Sequence, residues 1–186
     1  GRLEEIALKL CGIQGRLHPR CQARHLLLLA GDHGVTVEQV SAYRSEVTAK
    51  MVYQFIAGAS AVSAIAREVG LSVSVADLGV DHDFGEATGL THHKVRRGTR
   101  NLRREPAMTA AECQAAIDAG RALLQALPSA DLIAVGEMGI GNSTAAAAIT
   151  AALLDRRAEA VVGSGTGVGS QTRQRKIAVV DDALRL

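Results

Sequence analysis

Residues 136–149 read GEMGIGNSTAAAAI and residues 163–170 read GSGTGVGS, two glycine clusters that each open onto helix-forming sequence. In the first, Gly136, Gly139 and Gly141 precede Asn142, Ser143, Thr144 and a run of alanines. Glycine costs about 0.5–1 kcal/mol relative to alanine inside regular structure, so such a cluster calls for a backbone that takes an unusual path. The helix beyond that path begins with unpaired N–H groups, where an anion can sit. Two such loops at neighbouring strand ends could hold one phosphate between them. Ser143, Ser164 and Thr166 would add hydroxyl donors, and Lys176 the countercharge. For either loop alone, a tight turn that needs glycine for packing is an equally good reading. The first loop is not a Walker A sequence, because no lysine follows its last glycine, and it lacks the GxGxxG spacing.

Other candidates surround these loops. Glu137 stands beside the expected anion, so its carboxylate faces a sugar hydroxyl or a ring nitrogen of the ligand, or is simply an exposed loop residue. Asp32 and His33, in AGDHGV, could form an acid–base pair, or one of them could cap a turn. His82, His92 and His93 have no zinc-like spacing and no cysteine beside them, so no metal and no cofactor is expected. The stretch HHKVRRGTRNLRREP carries Lys94, Arg96, Arg97, Arg100, Arg103 and Arg104. A solvated loop accounts for it, with one or two arginines free to reach a carboxylate or phosphate of a ligand.

The elements that must position these residues follow from periodicity. RLEEIALKL places Leu3, Ile6, Ala7 and Leu10 on one helical face. Leu26 to Ala30 is a short apolar run halted by Gly31, the pattern of a buried parallel strand. EVTAKMVYQFIAGASAVSAIAREVG is helical, divided at Gly58 and ended at Gly70. LSVSVADLGV is a second strand, and residues 81–107 form a long connection without a period. Thr109 and Glu112 form a capping box for the next helix, which Pro128 stops. DLIAVGEM is a third strand and STAAAAITAALL the helix behind it. AEAVV is expected as a fourth strand before the second glycine loop, and QTRQRKIAVVDDAL as the last helix. Strand, loop and helix in alternation predict a single α/β domain over 1–186, a mostly parallel, Rossmann-like sheet of about four strands flanked by helices. In such sheets ligands gather at the carboxyl ends of the strands, where all the distinctive motifs fall.

Composition narrows the function classes. With 47% apolar and 22% charged residues the chain is ordinary globular material, and at 186 residues it can bury a real core. Aromatics are 2%, limited to Tyr43, Tyr53, Phe55 and Phe84, so the chain offers no platform for stacking nucleic-acid bases. A net charge of +2 is too small to indicate nucleic acid. Cys11, Cys21 and Cys113, odd in number and scattered, read as free thiols of a reducing compartment, and the chain is expected to be cytoplasmic. No apolar run is expected to be long enough to cross a bilayer.

The segments AGDHGV, VSAYRSEVTAKMV, GTRNLRREPAMT, GEMGIGNSTAAAAI and GTGVGSQTRQRKIAVV, in this order, resemble the nicotinate-nucleotide–dimethylbenzimidazole phosphoribosyltransferase family over essentially the whole chain. The resemblance implies transfer of the ribose 5-phosphate of nicotinate mononucleotide to 5,6-dimethylbenzimidazole in cobalamin synthesis. The products would be α-ribazole 5′-phosphate and nicotinate, and the enzyme a homodimer without a metal. By position, Gly139, Ile140, Gly141, Asn142, Ser143, Thr144, Gly165, Thr166, Gly167 and Lys176 would serve the ribose phosphate. Ser41, Tyr43, Lys50 and Met138 would shape the pocket for the aromatic base. Two positions depart from the family pattern at the edge of that pocket: Arg44 stands where proline is usual, and Lys50 where glutamine is frequent. The family's catalytic glutamate falls past the position matching Leu186, so the resemblance implies a chain that lacks the C-terminal segment. Among these residues Glu137 is the acidic candidate for the base.

Overall fold

The computed structural model describes residues 1–186 and is organised on one four-stranded, all-parallel sheet. Strand β1 (Arg24–Gly31) lies between β2 (Ser72–Gly79) and β4 (Leu132–Met138), and the short β3 (Leu90–His92) pairs outside β2, giving the order β3-β2-β1-β4. The run of leucines suits β1 to an interior place in the sheet, since both faces of such a strand are covered. Leu26, Leu28 and Ala30 point to the side of α2 (Glu46–Ile56), where they join Ala49, Val52, Val75 and Phe84. Leu27 points the other way, against Ala76 and Leu123 of α4 (Ala110–Ala126).

Most boundaries fall where local chemistry puts them. Gly58, at φ 67°, separates α2 from α3 (Ala61–Glu68), and the Ser60 hydroxyl caps α3 by accepting the Ser63 N–H at 3.1 Å. Thr109 and Glu112 form the expected reciprocal capping box, at 3.1 and 2.7 Å. Helix α1 (Arg2–Gln14) forms and ends on the left-handed Gly15, yet none of its residues is buried.

Three expectations are corrected. AEAVV is not a strand: Ala158–Val161 forms a helical turn, α6, packed between α5 (Asn142–Leu154) and α7 (Ser170–Ala183). Ala158 and Val162 bury against Ala147, Ala151 and Val180 there, and a short apolar run reads alike for a strand and for a buried helical turn. The fourth strand lies instead inside the 81–107 connection. Its three residues, Leu90 to His92, are too few to show a period and are set by pairing Leu90 with Val75 and His92 with Asp77. Finally, Glu46–Glu68 taken end to end is, by length and composition, a 23-residue segment able to cross a bilayer. In the fold it is broken at Gly58, and one side of each piece packs on the sheet.

Strands β2 and β3 extend to one side of β1 and β4 to the other. The loops leaving β1 and β4 thus lie side by side at the carboxyl ends of adjacent strands, where the crevice of such a sheet is found.

Candidate functional site

The crevice is built by the turn after β4. Strand β4 carries Glu137 to the carboxyl edge of the sheet, and Gly139, Ile140 and Gly141 then lead into α5 at Asn142. A side chain at 139 has no room, because a Cβ there would stand 2.1 Å from the Gly31 carbonyl oxygen. The turn thus lies directly on the end of β1. The Ile140 N–H donates to the hydroxyl of the wholly buried Thr48 on α2 at 3.1 Å, which fixes the turn from below. Nothing in the sequence around Thr48 marks it for this task.

The second glycine loop arrives from a different direction than expected. It follows the helical turn α6 and leads to α7, so only one of the two loops is a strand end. The loops nevertheless meet. Gly165, at φ 52°, lies so close that a Cβ on it would be 2.8 Å from Ser143 Oγ and 3.0 Å from Lys176 Nζ. The Thr166 hydroxyl stands 3.5 Å from that of Ser41, which closes the rim. Between the loops is a cavity of about 300 Å³ lined by Val40, Ser41, Glu137, the segment Gly139 to Ser143, Gly165 and Thr166. The N–H groups of Gly141, Ser143, Gly165 and Thr166 donate to no backbone carbonyl.

Lys176 supplies the charge. It is 1% exposed, with Nζ 3.0 Å from Ser143 Oγ and 3.3 Å from the Gly163 carbonyl. It pairs with no carboxylate, and burial pushes its ammonium below the ordinary lysine range. A buried cation without a counter-ion beside free N–H groups is the arrangement that binds an anion.

Other expected site residues are distributed more widely. Thr144 is fully buried behind the cavity, with a hydroxyl that meets no partner. Gly167 folds back, its N–H donating to the Ser164 carbonyl at 3.1 Å, and does not line the cavity. The Asn142 side chain is engaged within the protein: Oδ1 lies 2.5 Å from His33 Nε2, and Nδ2 donates to the Glu137 carboxylate. The four base-pocket residues are not gathered in one cavity. Ser41 borders both the glycine cavity and a neighbouring one of about 340 Å³ that holds Tyr43 and Arg44. Lys50 lines a third, of about 300 Å³, together with Asp32, Tyr53, Asp81 and His82. Met138 lines none of these three.

Asp32 and His33 turn to different partners. Asp32 accepts the Asp81 N–H at 2.9 Å, and burial pushes its carboxyl above the usual range. Burial lowers His33, which is neutral at pH 7. The basic stretch is largely absorbed by the fold. Arg100 pairs with Glu112 at 2.8 Å, Arg103 reaches Glu38 at 2.7 Å and Asp182 at 2.8 Å, and Lys94 meets the buried Asp77 at 2.6 Å.

A parallel sheet with strand order 3-2-1-4, and a cavity between two glycine loops with a buried lysine beside it, define an α/β protein with its cleft at the carboxyl ends of the strands. The chain belongs to the DBI_PRT phosphoribosyltransferase family, which matches residues 1–186. It is 45% identical over 188 residues to the nicotinate-nucleotide–dimethylbenzimidazole phosphoribosyltransferase of Geobacter sulfurreducens, covering 100% of this chain and 53% of that protein. The Thermus thermophilus protein of the same name is 48% identical over 186 residues, covering 99% of this chain and 56% of that one. The crystal structure of CobT from Thermus thermophilus superposes with a TM-score of 0.91 at 46% identity, over 100% of this chain and 57% of that one. The chain therefore spans a little over half the length of these relatives.

Proposed function

We propose that this chain forms the mononucleotide-binding part of an enzyme that transfers the ribose 5-phosphate of nicotinate mononucleotide to 5,6-dimethylbenzimidazole, giving α-ribazole 5′-phosphate and nicotinate. The observation that carries this reading is the buried, unpaired Lys176 Nζ beside Ser143 at the meeting of the two glycine loops. There the 5′-phosphate would take the free N–H groups of Gly141, Ser143, Gly165 and Thr166 and restore charge balance to Lys176. The names of the relatives support the choice of donor and acceptor.

The chemistry asks little of a catalyst beyond placement. The nicotinate ring nitrogen of the donor is cationic, so the bond from C1′ to that nitrogen breaks with its electron pair returning to the ring. The free imidazole nitrogen of the acceptor forms the new bond to C1′ from the opposite face, which turns a β-linked sugar into an α-linked one. The remaining imidazole N–H then loses its proton to a base. Holding the phosphate and aligning the acceptor can contribute several kcal/mol of the barrier, on the order of 7 or more in the best intramolecular cases. A carboxylate is a sufficient base, and Glu137, on the wall of the same cavity, is the acidic residue of this chain best placed to serve. The whole enzyme would be a homodimer.

The test is to incubate the chain with both substrates and follow nicotinate by chromatography. Release that depends on the benzimidazole, and that is abolished in Glu137→Gln, is the expected result. Binding of the mononucleotide without release would favour a second reading, a binding module whose base lies elsewhere. Release with another aromatic acceptor in preference would point to Arg44 and Lys50 as the cause. Absence of both binding and release would sink the proposal.

A further inference from the structure

We infer that His33 is a positioning residue for Glu137 and acts through the side-chain amide of Asn142. The inference rests on reading the glycine cavity as the place where the sugar and acceptor meet. His33 follows β1 and Glu137 is the last residue but one of β4, two adjacent strands, and Asn142 at the start of α5 stands between them. Its Oδ1 is 2.5 Å from His33 Nε2, and its Nδ2 donates to Glu137 Oε2.

The direction of every proton in this chain of contacts is determined. An ionised carboxylate only accepts hydrogen bonds, so Asn142 must turn its NH₂ group toward Glu137. Its carbonyl oxygen then faces His33 and also only accepts, so His33 Nε2 must carry a proton. Burial keeps the imidazole neutral, which leaves Nδ1 bare and selects one tautomer. A flipped amide would set its oxygen against the Glu137 carboxylate, two acceptors with no proton between them. The arrangement therefore has one stable orientation, and the buried ring is its fixed end.

The backbone has been cleared for it. A Cβ on residue 139 would lie 2.3 Å from Asn142 Oδ1, and one on residue 141 would lie 3.2 Å from His33 Cβ. Both glycines that frame the turn thus also make room for the histidine and the amide. Glu137 is exposed and flexible on its own, and without the amide it would sample several rotamers at the cavity wall. Asp32, the neighbouring acid, is tied to the Asp81 N–H and takes no part.

His33→Leu and His33→Gln in the 186-residue chain test the inference. For benzimidazole-dependent nicotinate release, His33→Leu is expected to lower kcat by about tenfold or more while KM for the mononucleotide stays within about twofold. His33→Gln, which keeps an N–H donor, is expected to recover a large part of kcat. A leucine variant as fast as the parent, or a glutamine variant no better than leucine, would overturn the inference and leave the proposed reaction standing. A readout independent of turnover comes from ¹⁵N NMR near neutral pH, where His33 should be protonated at Nε2 alone. The Asn142 side-chain amide should move to free-amide shifts in His33→Leu. An Nδ1-protonated ring, or an unmoved amide, refutes the positioning role even if the parent chain releases no nicotinate; that failure would count against the proposed function alone.

Discussion

The glycine cavity and the arginine stretch look alike in sequence, as two polar segments with cations near a ligand. In the fold they are opposites. Arg100 and Arg103 each meet carboxylates, Glu112 for the first and Glu38 with Asp182 for the second, and stitch loop 96–105 to α4, to the 3₁₀ turn Gly34–Glu38 and to α7. Lys176 meets none, although it is far more buried than either. Desolvation of an unpaired ammonium is costly, so a fold keeps one only where something else supplies the anion. The count of cations near a cleft therefore says little. What distinguishes a ligand site is the cation whose charge the protein itself has left unanswered.

The largest effect should come from removing that cation. Lys176→Met is expected to weaken nicotinate mononucleotide binding about a hundredfold, roughly 3 kcal/mol, by titration calorimetry. The same variant should be more stable than the parent when no ligand is bound. The folded lysine titrates below its ordinary 10.5, so its protonated form burdens the fold at every pH below that value and ceases to do so above it. The unfolding midpoint of the variant at pH 7 should therefore rise, and the gain should vanish in the parent's favour as pH approaches 10.5. Weakened binding with lowered stability would mean that Lys176 is a structural residue like the arginines.

Next in size is the backbone approach at the turn. Gly139→Ala forces a Cβ to within 2.1 Å of the Gly31 carbonyl, and overpacking of this kind costs about 1–3 kcal/mol. Urea denaturation should show the loss, and mononucleotide affinity should fall with it because the turn and the Ser143 N–H move together. Arg103→Leu provides the contrast. It takes one partner from Glu38, which keeps Asn101 and Arg104, and one from Asp182, which keeps Arg185, so the thermal midpoint should drop, while mononucleotide affinity should fall by at least tenfold less than in Lys176→Met. An equal loss would show that the latch on α7 sets the position of Lys176 as strictly as the lysine's own packing does.

How far these roles could be read beforehand depends on range. Gly139 and Gly165 stand out because glycine spacing is a local signal, Lys176 because it is the one lysine among the cations Arg173, Arg175 and Lys176 that follow, and the first turn of α4 is fully specified by Thr109 and Glu112, three positions apart in the chain. Partners that meet across the fold are invisible. Thr48 is one hydroxyl in a helix, and only folding brings it to Ile140, 92 positions away. The pairing of Asn142 with His33 spans 109 positions and redirects a residue expected on the phosphate. Short apolar runs fail for a related reason: AEAVV and LTH hold too few residues for a period, so neighbours decide whether they become a turn of helix or a strand. The arginines are ambiguous because charge alone does not disclose whether a carboxylate waits nearby.

The smallest expected effect concerns the stability of the arginine side under acid. Glu112 is held down to about 2, first by the Arg100 guanidinium and then by the Thr109 N–H. A carboxylate depressed in this way adds stability that is complete above its ordinary 4.5 and fades as pH falls through that value toward 2. Hydrogen exchange should therefore quicken in the first turn of α4 as pH is lowered from 4.5 to 2, after correction for the intrinsic rate. The Ile140 N–H should not follow, because its acceptor is the buried Thr48 hydroxyl, which carries no titrating proton, whereas Asn142 two positions on is held by an imidazole and a carboxylate and gives no such control. In Glu112→Gln the α4 turn should exchange faster already at pH 7 and lose its dependence on acid in that window. If the glycine turn loosened in step with α4, the two regions would be one cooperative unit, and the paired and unpaired cations would no longer act as separate devices.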